Sequence, residues 1–236
     1  MSFYRDFAEV YERVFPVREA VVAAVVARLG TGASLVLDVG CGPGHLCARL
    51  EQAGHSCTGI DLDGAMIERA KGLYPDLDVR ELDMRRIGDV GGVYDAGLCL
   101  GNVLPHLDRV DAKGFLGSLH HELSQSAPWI VQTVNFDRLS GEDRWTFPPL
   151  EVGDGLIFER RYEGLGNERC RFMTRLHRHG EELFAGDVPM TPWTIAELHD
   201  LHRDAGFEPE TAAADAAGSP YDPATSMGRW LVYRRD

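Results

Sequence analysis

Lysine is almost missing from this chain. Lys71 and Lys113 are the only two, and arginine supplies the other basic side chains; we read this as coding bias, not as a site. Basic residues number 24 against 37 acidic ones, a formal net charge of −13 at pH 7. A phosphate backbone calls for a basic surface, so the balance disfavours nucleic acid as a partner unless a basic patch hides in the acidic total. Cysteine is sparse as well. Positions 41, 47, 57, 99 and 170 form no Cys-x-x-Cys pair, and four of them sit in or beside expected core elements. That argues against a zinc site and fits reduced, buried thiols in a cytoplasmic protein. No apolar run is long enough to span a membrane, and the N-terminus carries no signal-peptide pattern, so no membrane association is expected. The longer Gly-x-Gly-x-x-Gly spacing and a Ser-Tyr-Lys arrangement are both lacking, which speaks against a nicotinamide-dependent oxidoreductase. No repeat or low-complexity tract is visible. The 236 residues suit one α/β domain with an insertion.

What is present centres on residues 35–46. An apolar run ends in Asp38, glycines follow at 40, 42 and 44, and a helical pattern begins. This reads as a buried strand, a tight turn and a helix start. Glycine permits positive φ and lets a ligand approach the backbone. Before this unit, Phe3, Phe7, Val10 and Val14 mark one face of a helix over 2–15, and Tyr4 and Tyr11 share a stripe of it. Those tyrosines fit ordinary packing or a lid over a ligand. A second helix is predicted over 17–29.

Strand two is predicted over 56–60, ending in Asp61, about 20 residues beyond the glycines. An acidic side chain there accepts hydrogen bonds from both hydroxyls of a ribose. Asp63 suits the cap of the next helix, which carries Met66. Strand three, 78–81, is followed by Asp83 and Met84. Strand four, 93–100, leads into Gly101, Asn102 and His106. A helix over 111–123 precedes strand five, 129–134, and then Asn135, Asp137 and Arg138. Ligands of open α/β sheets bind beyond the carboxyl ends of the strands, and Asp38, Asp61, Asp83, Asn102, His106, Asn135 and Asp137 all lie there.

Residues 151–190 break the rhythm. Strands over 156–163 and 169–177, a turn at 164–167 and a third short strand at 182–184 predict a small antiparallel sheet. It would form a pocket wall, a decoration or a homodimer interface. A helix over 194–205, strand six from 206 and strand seven over 227–233, antiparallel between five and six, close the chain. The proline-ordered loop 218–225 would border the pocket. His177/His179 and His199/His202 could each hold a metal only with a third ligand, and none is in sight; no metal is expected.

The segments Val36-Leu37-Asp38-Val39-Gly40-Cys41-Gly42-Pro43-Gly44, Gly59-Ile60-Asp61, Asp83-Met84 and Cys99-Leu100-Gly101-Asn102 resemble class I S-adenosylmethionine-dependent methyltransferases, and the likeness runs along the whole chain. It implies a Rossmann-like seven-stranded α/β sheet with helices on both faces. It also implies S-adenosyl-L-methionine as cofactor, held by Asp38, Gly40, Cys41, Gly42, Gly44, Asp61 and Leu62. Met66, Asp83, Met84, Leu100, Gly101, His106 and Tyr11 would complete that cofactor set. Residues 95–107 are similar to glycine and glycine/sarcosine N-methyltransferases, which implies that Asn102 reaches the substrate. Asn135-Phe136-Asp137 resembles their Asn-Tyr-Asp segment. Those enzymes place a carboxylate-clamping arginine just before it, where this chain has Val134, so the glycine substrate is not carried over. The Asn/Asp-Pro-Pro-Tyr motif of DNA-adenine and protein-glutamine methyltransferases is missing too. The expectation is a small-molecule amine or hydroxyl as methyl acceptor, with Asn102, Asn135 and Arg138 at the substrate. If a base is needed, His106, Asp137 and Tyr11 are the candidates, His106 serving equally as a cofactor contact. The competing reading is a non-catalytic, methyltransferase-like binding protein; the intact glycines and Asp61 favour an enzyme.

Overall fold

The structure, a computed structural model, describes residues 11–236. Phe3, Tyr4, Phe7 and Val10 of the expected first helix lie outside the described residues. The described chain begins with α1 (Tyr11–Val14) and α2 (Glu19–Val26). Strands and helices then alternate: β1 (Leu35–Val39), α3 (His45–Gln52), β2 (Ser56–Asp61), α4 (Gly64–Leu73), β3 (Asp78–Glu81), β4 (Ala96–Cys99), α5 (Arg109–Glu122) and β5 (Pro128–Val134). These five strands pair in parallel in the order β5-β4-β1-β2-β3. Next come α6 (Phe136–Leu139), β6 (Arg144–Thr146), β7 (Leu150–Glu151), β8 (Leu156–Glu163), β9 (Cys170–Arg178) and β10 (Glu181–Met190). The chain closes with α7 (Ile195–Asp204), β11 (Phe207–Ala213) and β12 (Gly228–Arg235). β12 runs antiparallel between β5 and β11, which completes the predicted seven-stranded sheet with its reversed last strand.

The sheet is covered on both faces, which is why β1, β4 and β5 read as nearly unbroken apolar runs. One core gathers Leu37, Val39, Trp129, Val131, Phe115 and Leu119. The other gathers Val36, Leu98, Ile130, Leu46 and Leu50. Helix starts carry their own caps: Asp63 accepts from the Ala65 amide, Asp108 from Val110 and Asp111, and Thr194 forms a capping box with Glu197.

β6 to β10 form a separate antiparallel sheet in the order β10-β9-β8-β6, with β7 also on β8. The hairpin falls where the sequence places it. β10 is longer than the predicted 182–184, because the register shift between Glu182 and Phe184 hides its alternation. β6 and β7 are too short to leave a periodic signal. β4 is shorter than predicted: Gly91 and Gly92 both have positive φ, and Tyr94 pairs only as an isolated bridge with Leu123.

One buried cation locks the sheet to the segments beyond its carboxyl end. Arg229 of β12 has no exposed surface. Its guanidinium donates to Asp137 Oδ2 at 2.9 Å, to the carbonyls of Val134 at 2.9 Å and Trp193 at 2.7 Å, and to Thr133 Oγ1 at 3.2 Å. Breaking a buried pair strands its partners without compensation. Arg229→Met should therefore cost about 3 kcal/mol or more, read as a lower denaturant midpoint with an unchanged slope.

Candidate active site

The glycine turn is hung on the end of β2. The amides of Gly40 and Cys41 both donate to the Ile60 carbonyl, at 2.8 and 3.0 Å. The Gly42 amide donates to Asp61 Oδ2 at 2.9 Å, and the Asp63 amide to Asp61 Oδ1 at 2.9 Å. One carboxylate thus ties the first βα turn to the second. The structure also divides the two acidic candidates, since Asp63 caps α4 and Asp61 bridges the turns. Gly40 has φ of 77°, and a Cβ there would lie 2.6 Å from Val103 Cγ2. Gly42, at φ 53°, faces the Tyr11 ring, with its hydroxyl 3.8 Å from where a Cβ would be. A side chain at either position would fill the space over the turn.

The charges beside this turn are unusual. Burial pushes the Asp38 carboxyl up to about 7, against a weak thiol contact from Cys47 at 3.6 Å. Burial also raises Asp61, opposed by its two amide donors. Burial, and then the nearby Asp61 and Asp38 carboxylates, hold the Tyr11 phenol well above the ordinary phenol range. Its helix reaches in two directions. Glu12 pairs with Arg69 at 2.7 Å and His45 at 3.2 Å, while Val14 packs with Leu156 and Phe158 of the second sheet.

The other expected cofactor contacts divide by exposure. Leu62, directly after Asp61, is 68% exposed, and Met84 is half-buried against the core. Leu100 is half-buried against the core, and Gly101 is exposed, its amide donating to Gln132 Oε1 at 3.1 Å. Met66 and Cys41 are buried, the Cys41 thiol packing against Gly59. Asp83 accepts from the Arg85 amide at 3.0 Å and is clamped by the Arg85 guanidinium, which holds its carboxyl below the usual range.

The groups beyond β4 and β5 are tied to the protein. Asn102, in a left-handed conformation at φ 66°, donates to the Tyr162 hydroxyl at 3.0 Å and accepts from the Val134 amide at 2.9 Å. Asn135, expected at the substrate, is fully buried. It donates to the carbonyls of Pro223 and Ser226 and accepts from the Tyr221 hydroxyl at 2.9 Å, so its amide holds the 218–225 loop. Asp137, a candidate base, is committed to Arg229 and to the Ile195 amide. Arg138 turns to the Thr225 carbonyl and the Trp145 ring. His106 sits in a short turn, Leu104–His106, and the Arg169 guanidinium donates to its carbonyl at 3.1 Å. Burial and that cation push its imidazole down to about 4. Sequence reasoning missed Tyr162, Arg160, Tyr221 and Arg229; only Tyr221, flanked by prolines, carried a local signal. Among the described residues no cluster of three or more metal-ligating side chains is found.

Residues 36–126 match the model of a methyltransferase domain. The fold is that of a class I methyltransferase. The methyltransferase CcbJ of Streptomyces caelestis superposes with a TM-score of 0.83 at 18% identity, over 99% of this chain and 98% of that one. The S-adenosylmethionine-bound amino pentose methyltransferase CalS10 of Micromonospora echinaspora superposes with a TM-score of 0.72 at 18% identity, over 99% and 98%. In sequence, the trans-aconitate 2-methyltransferase of Escherichia coli is 25% identical over 170 residues, 70% of this chain. The chain spans about three fifths of that relative, 61% of its length. None of these three is a glycine or sarcosine N-methyltransferase. CalS10 holds S-adenosylmethionine, and the site of this chain has features that suit that group: a turn that a Cβ would fill, an amide-held carboxylate and an exposed leucine beside it.

The imidazoles of this protein predict an acid response. His106 is pushed down to about 4 and the buried His202 to about 3, against an ordinary 6.5. Between those values and pH 6.5 the unfolded chain binds more protons than the folded one, so each ring's contribution to stability falls as pH drops through that window. The His106 ring protons should titrate near pH 4 by NMR, and His106→Gln should flatten the slope of denaturation midpoint against pH between 6.5 and 4.

Proposed function

We propose that the protein is an S-adenosylmethionine-dependent methyltransferase acting on a small molecule. The observation that carries this reading is Asp61, a carboxylate at the end of β2 whose two oxygens accept amides from both flanking turns. Asp61 would hold the ribose hydroxyls, the 40–44 turn would cradle the amino-acid portion, and Leu62, Met84 and Asp83 would border the adenine. The bound cofactor supplies an electrophilic methyl on a sulfonium. The chain's own work is then orientation and exclusion of water. Tyr11 would close the space above the turn, and Asn102, fixed by Tyr162 and Val134, would face the acceptor.

The acceptor atom favoured here is an amine nitrogen rather than a hydroxyl. A hydroxyl needs a base poised near neutral pH. His106 is down near 4, Asp137 is neutralised by Arg229, and the Tyr11 phenol stays protonated. A neutral amine brings its own lone pair. The sugar and amino pentose methyltransferases of similar fold, and the trans-aconitate relative, support an acceptor in the small-molecule class.

Calorimetric titration should give saturable binding of S-adenosylhomocysteine and none of NAD. Asp61→Ala should weaken S-adenosylhomocysteine at least tenfold, since hydrogen bonds to charged groups are worth about 1.5–3 kcal/mol each; unchanged affinity would remove the ribose assignment. No binding of either ligand would favour a non-catalytic protein. In an acceptor screen His106→Gln should lower kcat by less than about tenfold, whereas general-base loss typically costs about 10²-fold or more.

A further inference from the structure

The inner face of the antiparallel sheet roofs the carboxyl ends of the core strands. Successive side chains of a strand alternate between faces, so Phe158, Arg160 and Tyr162 share one. Tyr162 hydroxyl bonds to Asn102, and its ring lies 5.3 Å from Phe136, just beyond β5. Phe158 stacks edge-on against Phe15 at 5.7 Å, and Phe15 lies 5.3 Å from Tyr11, which covers Gly42. Arg160 is therefore held between the group over the glycine turn and the group beside Asn102.

Two aromatic rings flank it. The guanidinium carbon lies 5.2 Å from the Phe147 ring centre and 5.9 Å from that of Phe158. One nitrogen donates to the Pro148 carbonyl at 3.2 Å. Among the described residues no carboxylate pairs with Arg160, although Arg144, Arg161, Arg171 and Arg175 of the same sheet all have one. Its Nε is buried and has no hydrogen-bond partner. Thr174, directly opposite on β9, is 3% exposed, and its Oγ1 is equally unpartnered. Trp145, diagonal to Arg160 across β6, leaves its indole N–H without a partner. Stacking on two rings would account for a packed arginine, but not for three unmet hydrogen-bonding groups on one face. An unmet buried polar group costs about 1–3 kcal/mol. The indole and the guanidinium only donate, and the hydroxyl can donate. Such a set is met by a ligand that only accepts, and a planar carboxylate fits an arginine edge.

We propose that Arg160, with Thr174 and Trp145, forms an anion subsite that binds a carboxylate group of the methyl acceptor. This rests on the methyltransferase reading and narrows it: the acceptor is an organic acid or amino acid derivative, held by its carboxylate under the roof while another atom takes the methyl.

The test is calorimetry on protein loaded with S-adenosylhomocysteine, using glutarate, hippurate and trans-aconitate, each beside its methyl ester. At least one acid should bind saturably and its ester should not. Arg160→Met should weaken that acid by about tenfold to a hundredfold, the range for hydrogen bonds to charged groups. Arg160→Lys should recover part of it, Thr174→Val should lose severalfold, and S-adenosylhomocysteine should bind all three variants as it binds the parent. Thr174→Val and Arg160→Lys also guard against misfolding of the methionine variant. Equal binding of acid and ester, acid binding unchanged by Arg160→Met, or no acid binding at all to the loaded protein would overturn the subsite. Failure of S-adenosylhomocysteine to bind would overturn the parent reading instead; the acids are then titrated into the unloaded protein, where Arg160-dependent binding upholds the subsite and its lack overturns it.

Discussion

A half-buried carboxylate that must be bonded governs the site end of this fold. Asp61 can sit at the tip of β2 only because two amides arrive there, one from the glycine turn and one from the start of α4. That requirement sets the path of the backbone. The turn after β1 must double back over the end of β2, which it does through glycines in left-handed conformations and two bonds to the Ile60 carbonyl. Asp38, buried beneath the same turn, adds a second carboxyl whose charge is costly there. The result is a concave backbone surface with acid chemistry at one side, next to an exposed leucine.

At the other side of the site a cation does the equivalent work. Arg229 joins the end of β5, α6 and the segment before α7. Asp137 neutralises that cation, and Asn135 fastens the 218–225 loop beside it. These side chains build the floor on which Asn102 is placed. Their chemistry is spent on shape, so reactivity is left to whatever the site binds.

The sequence made the core sheet legible because parallel strands buried on both faces are continuous apolar runs, and the glycine turn marks where they converge. The ring of candidate side chains at the carboxyl ends was legible for the same reason. What could not be read was the sharing of partners. Asp61 and Asp63 are one residue type two positions apart, told apart in the sequence by the strand end alone, and the amides they accept give each its place. Asn135 and Asp137 stand in the expected segment, yet Tyr221 and Arg229, some ninety positions away in the chain, claim them. Arg160 reads in the chain as one exposed-strand arginine next to another, Arg161. Strand alternation sets the two on opposite faces, and only the pairing of β8 with β6 and β9 shows that Arg160 is the one on the side of Tyr162 and Asn102.

The overall charge gives the position of Arg160 a kinetic meaning. A protein of net charge −13 surrounds itself with a field that repels anions. Arg160, half-buried over the site and without a carboxylate partner among the described residues, is flanked by aromatic rings, so its pull at a distance is weak. An acidic guest would approach uphill and be chosen only on contact. Added salt, which slows the arrival of ligands drawn in by opposite charge, would hasten this one by flattening the hill.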